Sequence, residues 1–139
     1  MNKKLVVAKL QQIFNMELEA GVHYFSRAYS VVGTGRDPIA SFLKGEVDEC
    51  HRHAGMAAEK IMALGETPEV HIRADRVSKP QPTKQLLKEC VKEEQEAVAL
   101  YRELLPLVQE DVVLENMVRT ILIDELEGLQ KLDLYLREP

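Results

Sequence analysis

Apolar residues recur at three- and four-residue steps through most of the chain, and glycine or proline breaks each run. Val6, Leu10, Ile13, Ala20, Tyr24, Ala28 and Val31 form one helical stripe from about residue 4 to 32, with Glu17 standing where an apolar residue belongs. Gly33-Thr34-Gly35 ends that helix, and Asp37-Pro38 reads as the N-cap and first turn of a second helix over about 38–65. The second inner face carries Ile39, Phe42, Glu46, Cys50, His53, Ala57, Ile61 and Leu64. A third helix over about 83–109 turns Leu87, Cys90, Glu94, Ala97, Tyr101 and Leu104 inward, and Pro106 predicts a kink or stop near its end. A fourth over about 112–137 turns in Val118, Leu122, Glu125, Leu129, Leu132 and Leu136.

Residues 66–82, with Pro68, Pro80 and Pro82, are too many for a tight helix-to-helix turn. At ~3.3 Å per residue such a segment can run the length of a bundle. Its stretch Val70-His71-Ile72-Arg73 is too isolated to make a sheet. A crossover there makes helices two and three parallel and joins two antiparallel hairpins. The expected fold is therefore an all-α four-helix bundle forming a single domain over residues 1–139.

Composition narrows the function classes. At 139 residues and 45% hydrophobic, the chain can bury one core. No apolar run is long enough to span a membrane, and Lys9 breaks the only apolar stretch near the start, so a cytoplasmic protein is expected. The net charge of −5, spread along the helices, argues against a nucleic-acid partner. Cys50 and Cys90 are too few for a disulfide scaffold, and there is no C-x-x-C pair.

The informative feature is chemical. Glu17, Cys50 with His53, Glu94 and Glu125 occupy core positions on four different helices. A buried carboxylate costs several kcal/mol unless it is paired, hydrogen-bonded or bound to a cation, and a metal inside the bundle accounts for all of them together. Tyr24 follows Glu17 by seven residues and Tyr101 follows Glu94 by the same interval, so each pair shares one helix face.

On these motifs the chain resembles the ferritin-like di-iron carboxylate family, in its bacterioferritin and rubrerythrin branches, whose helices read E-x6-Y, E-x-x-H, E-x6-Y, E-x-x-H. The segments Asn15 to Phe25, Val47 to Pro68, Ala97 to Leu104 and Ile121 to Glu125 carry the likeness, which spans nearly the whole chain. The resemblance implies metal ligands at Glu17, His53, Glu94 and Glu125, and a centre that oxidises Fe(II) with dioxygen or peroxide in iron homeostasis or oxidative-stress defence. Two positions depart from the pattern: Cys50 stands where the second glutamate belongs, and Gly128 where the second histidine belongs.

The resemblance implies iron, in a di-iron or mononuclear site; a thiolate is a softer donor than a carboxylate and also suits Zn(II), which makes zinc the alternative. Glu46, one turn before Cys50, is a further candidate ligand, and Glu49 lies four residues before His53. Glu127 with Gln130 offers another register for the fourth helix, but off the apolar stripe. Tyr24 and Tyr101 are expected to orient carboxylates. Cys50 and Cys90 are candidates for a redox-active pair, and His51 sits beside the position where bacterioferritins place a haem ligand. His23 and His71 fit no pattern, while Glu59, Lys60, Arg102 and Glu103 read as outer-face charges.

The alternative function is a metal-free helical scaffold that has lost its centre. With no fifth short helix after the fourth, and with Val22, Phe25, Tyr29 and Val32 lying outside the core stripe, a homodimer is expected, a larger cage being the alternative.

Overall fold

The computed structural model describes residues 1–73 and 79–139, so part of the crossover expected over 66–82 lies outside the described residues. Four long helices account for nearly all of the rest: α1 (Lys3–Ser30), α2 (Arg36–Ala63), α3 (Thr83–Leu104) and α4 (Val112–Leu136). No helix is long and apolar enough to cross a membrane among the described residues.

The directions of the helices follow from which residues meet. Gly65 lies beside the Lys3 side chain and Gly21 beside Cys50 and His51, so α1 and α2 run antiparallel. Lys84 pairs with Glu138, and Gly128 faces Glu94, so α3 and α4 do as well. Tyr24 bonds Glu94 and Tyr101 bonds Glu17, which sets α1 antiparallel to α3. Helices α2 and α3 are therefore parallel, as a crossover requires.

Helix ends differ from the periodicity in three places. Val31 and Val32 leave α1 as an extended pair, β1 (Val31–Val32), which lies parallel to β2 (Gln81–Pro82) just before α3. The ladder pairing draws these two residues out of the helix, although Val31 stays fully buried as the stripe expects. The second helix begins at Arg36 rather than at an Asp37 cap, because Gly35 takes a left-handed φ of 78° that other residues rarely adopt and turns the chain into the helix. Asp37 and Pro38 then fall in the first turn, where a negative charge meets the positive helix end and a missing N–H costs nothing. The third helix stops at Leu104, and Pro106 sits in a single 3₁₀ turn (Leu105–Leu107).

The segment Val70–Arg73 forms no strand. Side chains of α1 instead take backbone groups along residues 67–73: Gln11 bonds Thr67 O and Glu69 N, Asn15 bonds Glu69 O and His71 N, and Glu19 accepts from Arg73 N. These three residues are four apart, so one face of α1 serves as the partner an extended segment otherwise lacks.

Two apolar clusters fill the interior. One surrounds Leu10, Ile13, Ile61, Leu104 and Ile121; the other surrounds Ala28, Leu43, Leu86 and Leu132. The buried polar residues lie on the same inward stripes as both clusters.

Helix α4 starts on Asp111, whose carboxylate accepts from Leu114 N at 3.0 Å. Asp111→Ala is expected to cost about 1 kcal/mol. Urea unfolding checks this, with a lower midpoint and an unchanged slope.

Candidate metal centre

Each helix delivers its ionisable residue because that residue occupies a core position of the stripe. Glu17 from α1, Glu46, Cys50 and His53 from α2, Glu94 from α3 and Glu125 from α4 are all buried. Helix α2 comes close enough to α1 because Gly21 has no side chain: a Cβ there would lie 3.3 Å from the His51 ring and 3.6 Å from Cys50 Cβ.

The two tyrosines cross the bundle. Tyr24 of α1 donates to Glu94 Oε1 at 2.6 Å, and Tyr101 of α3 donates to Glu17 Oε1 at 2.8 Å. Each Glu and Tyr pair, seven residues apart on its own helix, thus locks onto the opposite pair. Burial raises the pKa of both phenols, so at neutral pH they act as donors that hold carboxylates in place.

His53 is the hub. Its Nδ1 lies 3.2 Å from Glu125 Oε1 and 3.7 Å from Glu17 Oε1, and its Nε2 lies 2.9 Å from Asp124 Oδ2. Ligand atoms of Glu17, His53 and Glu125 stand within 4.8 Å of one another. Burial alone would lower the His53 pKa, but its bonds to Glu125 and Glu17 outweigh that and hold it up to about 11. An Nε2 hydrogen anchored on Asp124 leaves Nδ1 as the nitrogen that faces a cation.

The carboxyl groups are crowded. Burial, followed by the facing Glu125, raises Glu94 to about 10; burial also raises Glu125 to about 7 against the opposing bond to His53. Glu94 therefore keeps its proton in the metal-free chain. Its Oε2 is buried and has no hydrogen-bond partner among the described residues. These groups face a cavity of about 100 Å³, lined also by Tyr24 and Cys50, which is room for ions with their water. An unpartnered buried oxygen, two further carboxylates and an imidazole fit a divalent transition metal better than they fit each other.

The other candidates fall as follows. Cys50 lines the same cavity, and burial followed by the surrounding carboxylates pushes its pKa up, so without a cation it remains a thiol. Cys90 is buried near Arg27, and both cysteines are free, so the redox pair weighed from the sequence is not formed in this structure. Glu46 is buried but lines a groove between α2 and α4, where burial and then Glu49 raise it to about 8. Gly128 faces Glu94, and a Cβ there would meet Oε2 at 3.8 Å, an ordinary contact. Glu127, Gln130 and His51 are exposed.

Two features escaped the sequence reading. Asp124 sits one residue off the core stripe, where attention to inward positions passes over it; the signal available was the need of a buried His53 for a partner on its second nitrogen. Arg27, three residues after Tyr24 on the same face, is buried and grips Glu93 through two bonds of 2.9 and 2.7 Å, while His23 adds a third at 2.9 Å. Those bonds outweigh burial and hold Glu93 down to about 2.

Residues 7–138 match the family model of the ferritin-like domain. No curated protein matches the chain in sequence. Among solved structures it is similar to a dodecameric thioferritin, the bacterioferritin-related protein of Bacteroides fragilis, at 23% identity and a TM-score of 0.89 over 98% of this chain and 86% of that one. Ferritin-like di-iron carboxylate proteins of Bacillus anthracis reach 24% and 0.89 over 97% of each chain. Desulfovibrio desulfuricans bacterioferritin reaches 24% and 0.85 over 96% of this chain and 79% of that one. At these identities the likeness establishes the bundle, and with the family match over nearly the whole chain it follows that this protein belongs to the ferritin-like domain family.

Proposed function

We propose that this chain binds iron at its buried centre and oxidises Fe(II) with dioxygen or peroxide. One observation carries the reading: Glu17, His53 and Glu125 offer ligand atoms within 4.8 Å of one another, and Glu17, Glu125 and Glu94, one oxygen of which is unpartnered among the described residues, line one cavity. Bound iron supplies one electron per ferrous ion to the oxidant. The family membership and the di-iron site named for the Desulfovibrio bacterioferritin support iron as the metal.

The roles follow from position. Glu17, Glu125 and Nδ1 of His53 form a three-donor set, and Asp124 holds the His53 ring in the matching tautomer. Glu94 and Cys50 complete a weaker half, because Gly128 offers no imidazole beside Glu94. The centre is thus asymmetric. A bound cation would take the place of the proton on Glu94 and would favour the thiolate of Cys50. Tyr24 and Tyr101 fix the angles of Glu94 and Glu17.

Copies of the chain are proposed to associate through Val22, Phe25, Tyr29 and Val32, which stay exposed on one stretch of α1 and its end. The dodecamer of the Bacteroides fragilis relative supports the larger assembly as the alternative to a dimer.

The tyrosine bonds also satisfy much of the network with no metal present, which favours a metal-free scaffold as the second reading. Elemental analysis after anaerobic Fe(II) addition and desalting separates the two. The wild-type chain is expected to retain iron and Glu94→Ala to lose most of it; equal contents would contradict the first reading, and no retained iron in either would favour the second. Gly128→His, whose Cβ would make only ordinary contact with Glu94, is expected to increase the iron retained per chain by giving the weaker half its missing donor.

A further inference from the structure

Near one end of the bundle the rings of Phe42 on α2 and Tyr135 on α4 meet, with centroids 5.3 Å apart. Beside this bridge the two helices leave a groove of about 810 Å³ between them. Pockets that take small organic molecules hold roughly 300–1,000 Å³. Phe42, Leu134 and Tyr135 wall its apolar part, and Glu46, Glu49 and Lys131 its polar part. Gly45 stands between the two on the α2 wall, where a Cβ would meet nothing within 4 Å, so the space above it is open.

Charge sets what such a groove accepts. Glu46 is nine-tenths buried and has no hydrogen-bond or ion-pair partner among the described residues, while its carboxyl oxygens stay open to the groove. Burial, and then Glu49, raise its pKa to about 8, so it keeps a proton at neutral pH although Lys131 stands on the facing wall. Lys131 pairs with neither carboxylate among the described residues, which leaves two acidic groups against one basic group. A buried carboxyl without a partner is costly, and a donor carrying positive charge offsets that cost. Phe42 and Glu46 are one helical turn apart, about 6 Å along the axis, so an apolar body and a charged head of one small molecule reach both.

We propose that the groove between α2 and α4 binds a small amphipathic organic cation, an ammonium on an aryl or alkyl body. The ammonium donates to Glu46 and Glu49, and the body lies against Phe42, Leu134 and Tyr135. This site does not depend on iron at the inner centre.

The probe is phenylpropylammonium, added to metal-free protein at about pH 8.5, where an alkylamine is still charged. The ring resonances of Phe42 and Tyr135 are expected to shift together and to saturate. Phenylpropanol, which has the same shape without the charge, is expected to bind about 10-fold more weakly, and Glu46→Gln to weaken binding of the ammonium by a similar factor, because either change removes the charge-assisted bond. Gly45→Leu fills the groove without altering a charge, and is expected to abolish the shifts while leaving the metal content of the chain at the wild-type level. Rings that do not move overturn the proposal, as does phenylpropanol or the anionic phenylbutyrate bound as tightly as the ammonium. Wild-type affinity in Glu46→Gln or in Gly45→Leu overturns it as well.

Discussion

Putting carboxylates beside one another inside an apolar bundle is unfavourable twice over, because each loses its water and each repels the next. Glu17, Glu94 and Glu125 accept both penalties in this chain, with His53 as the one buried positive charge among them. The rest of the structure is arranged around that constraint. Two phenols reach across the bundle to hold two of the carboxylates, Asp124 anchors the far side of the imidazole, and Gly21 lets α2 approach α1 closely enough to bring His53 in.

The antiparallel relation of α1 and α3 makes this economical in sequence. A glutamate followed by a tyrosine two turns later, written on both helices, gives two reciprocal bonds in one register. Parallel helices would place both tyrosines at the same end and leave both glutamates unheld. The crossover, held against α1 by Gln11, Asn15 and Glu19, is what permits the antiparallel pairing, so a polar face far from the centre helps to determine its chemistry.

Most of this was legible in the sequence, since burial follows helical periodicity and every ionisable residue placed on an inward stripe is buried. Helix ends were less so. Whether Val31 continues a helix or enters a ladder depends on Gln81, fifty residues away, and whether Asp37 caps a helix depends on the conformation of Gly35. Asp124 was hidden for a different reason: a residue that steadies a ligand from the side lies off the apolar stripe, and periodicity carries no signal for it. The inward Glu46 is buried as its place on the stripe expects and also lines the α2–α4 groove, because a position on the stripe specifies burial but not which neighbour is met. The Arg27 and Glu93 pair shows the same limit, as two charges on facing helices become partners only once the helices are packed.

The central claim is that the buried carboxylates are a cation site, and the stability of the metal-free protein against pH tests it most directly. Burial and the facing carboxylates raise Glu94 to about 10 and Glu46 to about 8, and bonds to Glu125 and Glu17 outweigh burial to raise His53 to about 11. The folded chain therefore binds more protons than the unfolded one from about pH 5 to about pH 9, and its stability must fall as pH rises through that range. Glu93, held down to about 2, has the opposite sign but contributes a constant amount there. Thermal unfolding of the apo-protein across this range should show a falling midpoint, and Fe(II) under anaerobic conditions should raise the midpoint most at the alkaline end. A midpoint that is flat or rises with pH, or one that the metal leaves unmoved, would contradict the account.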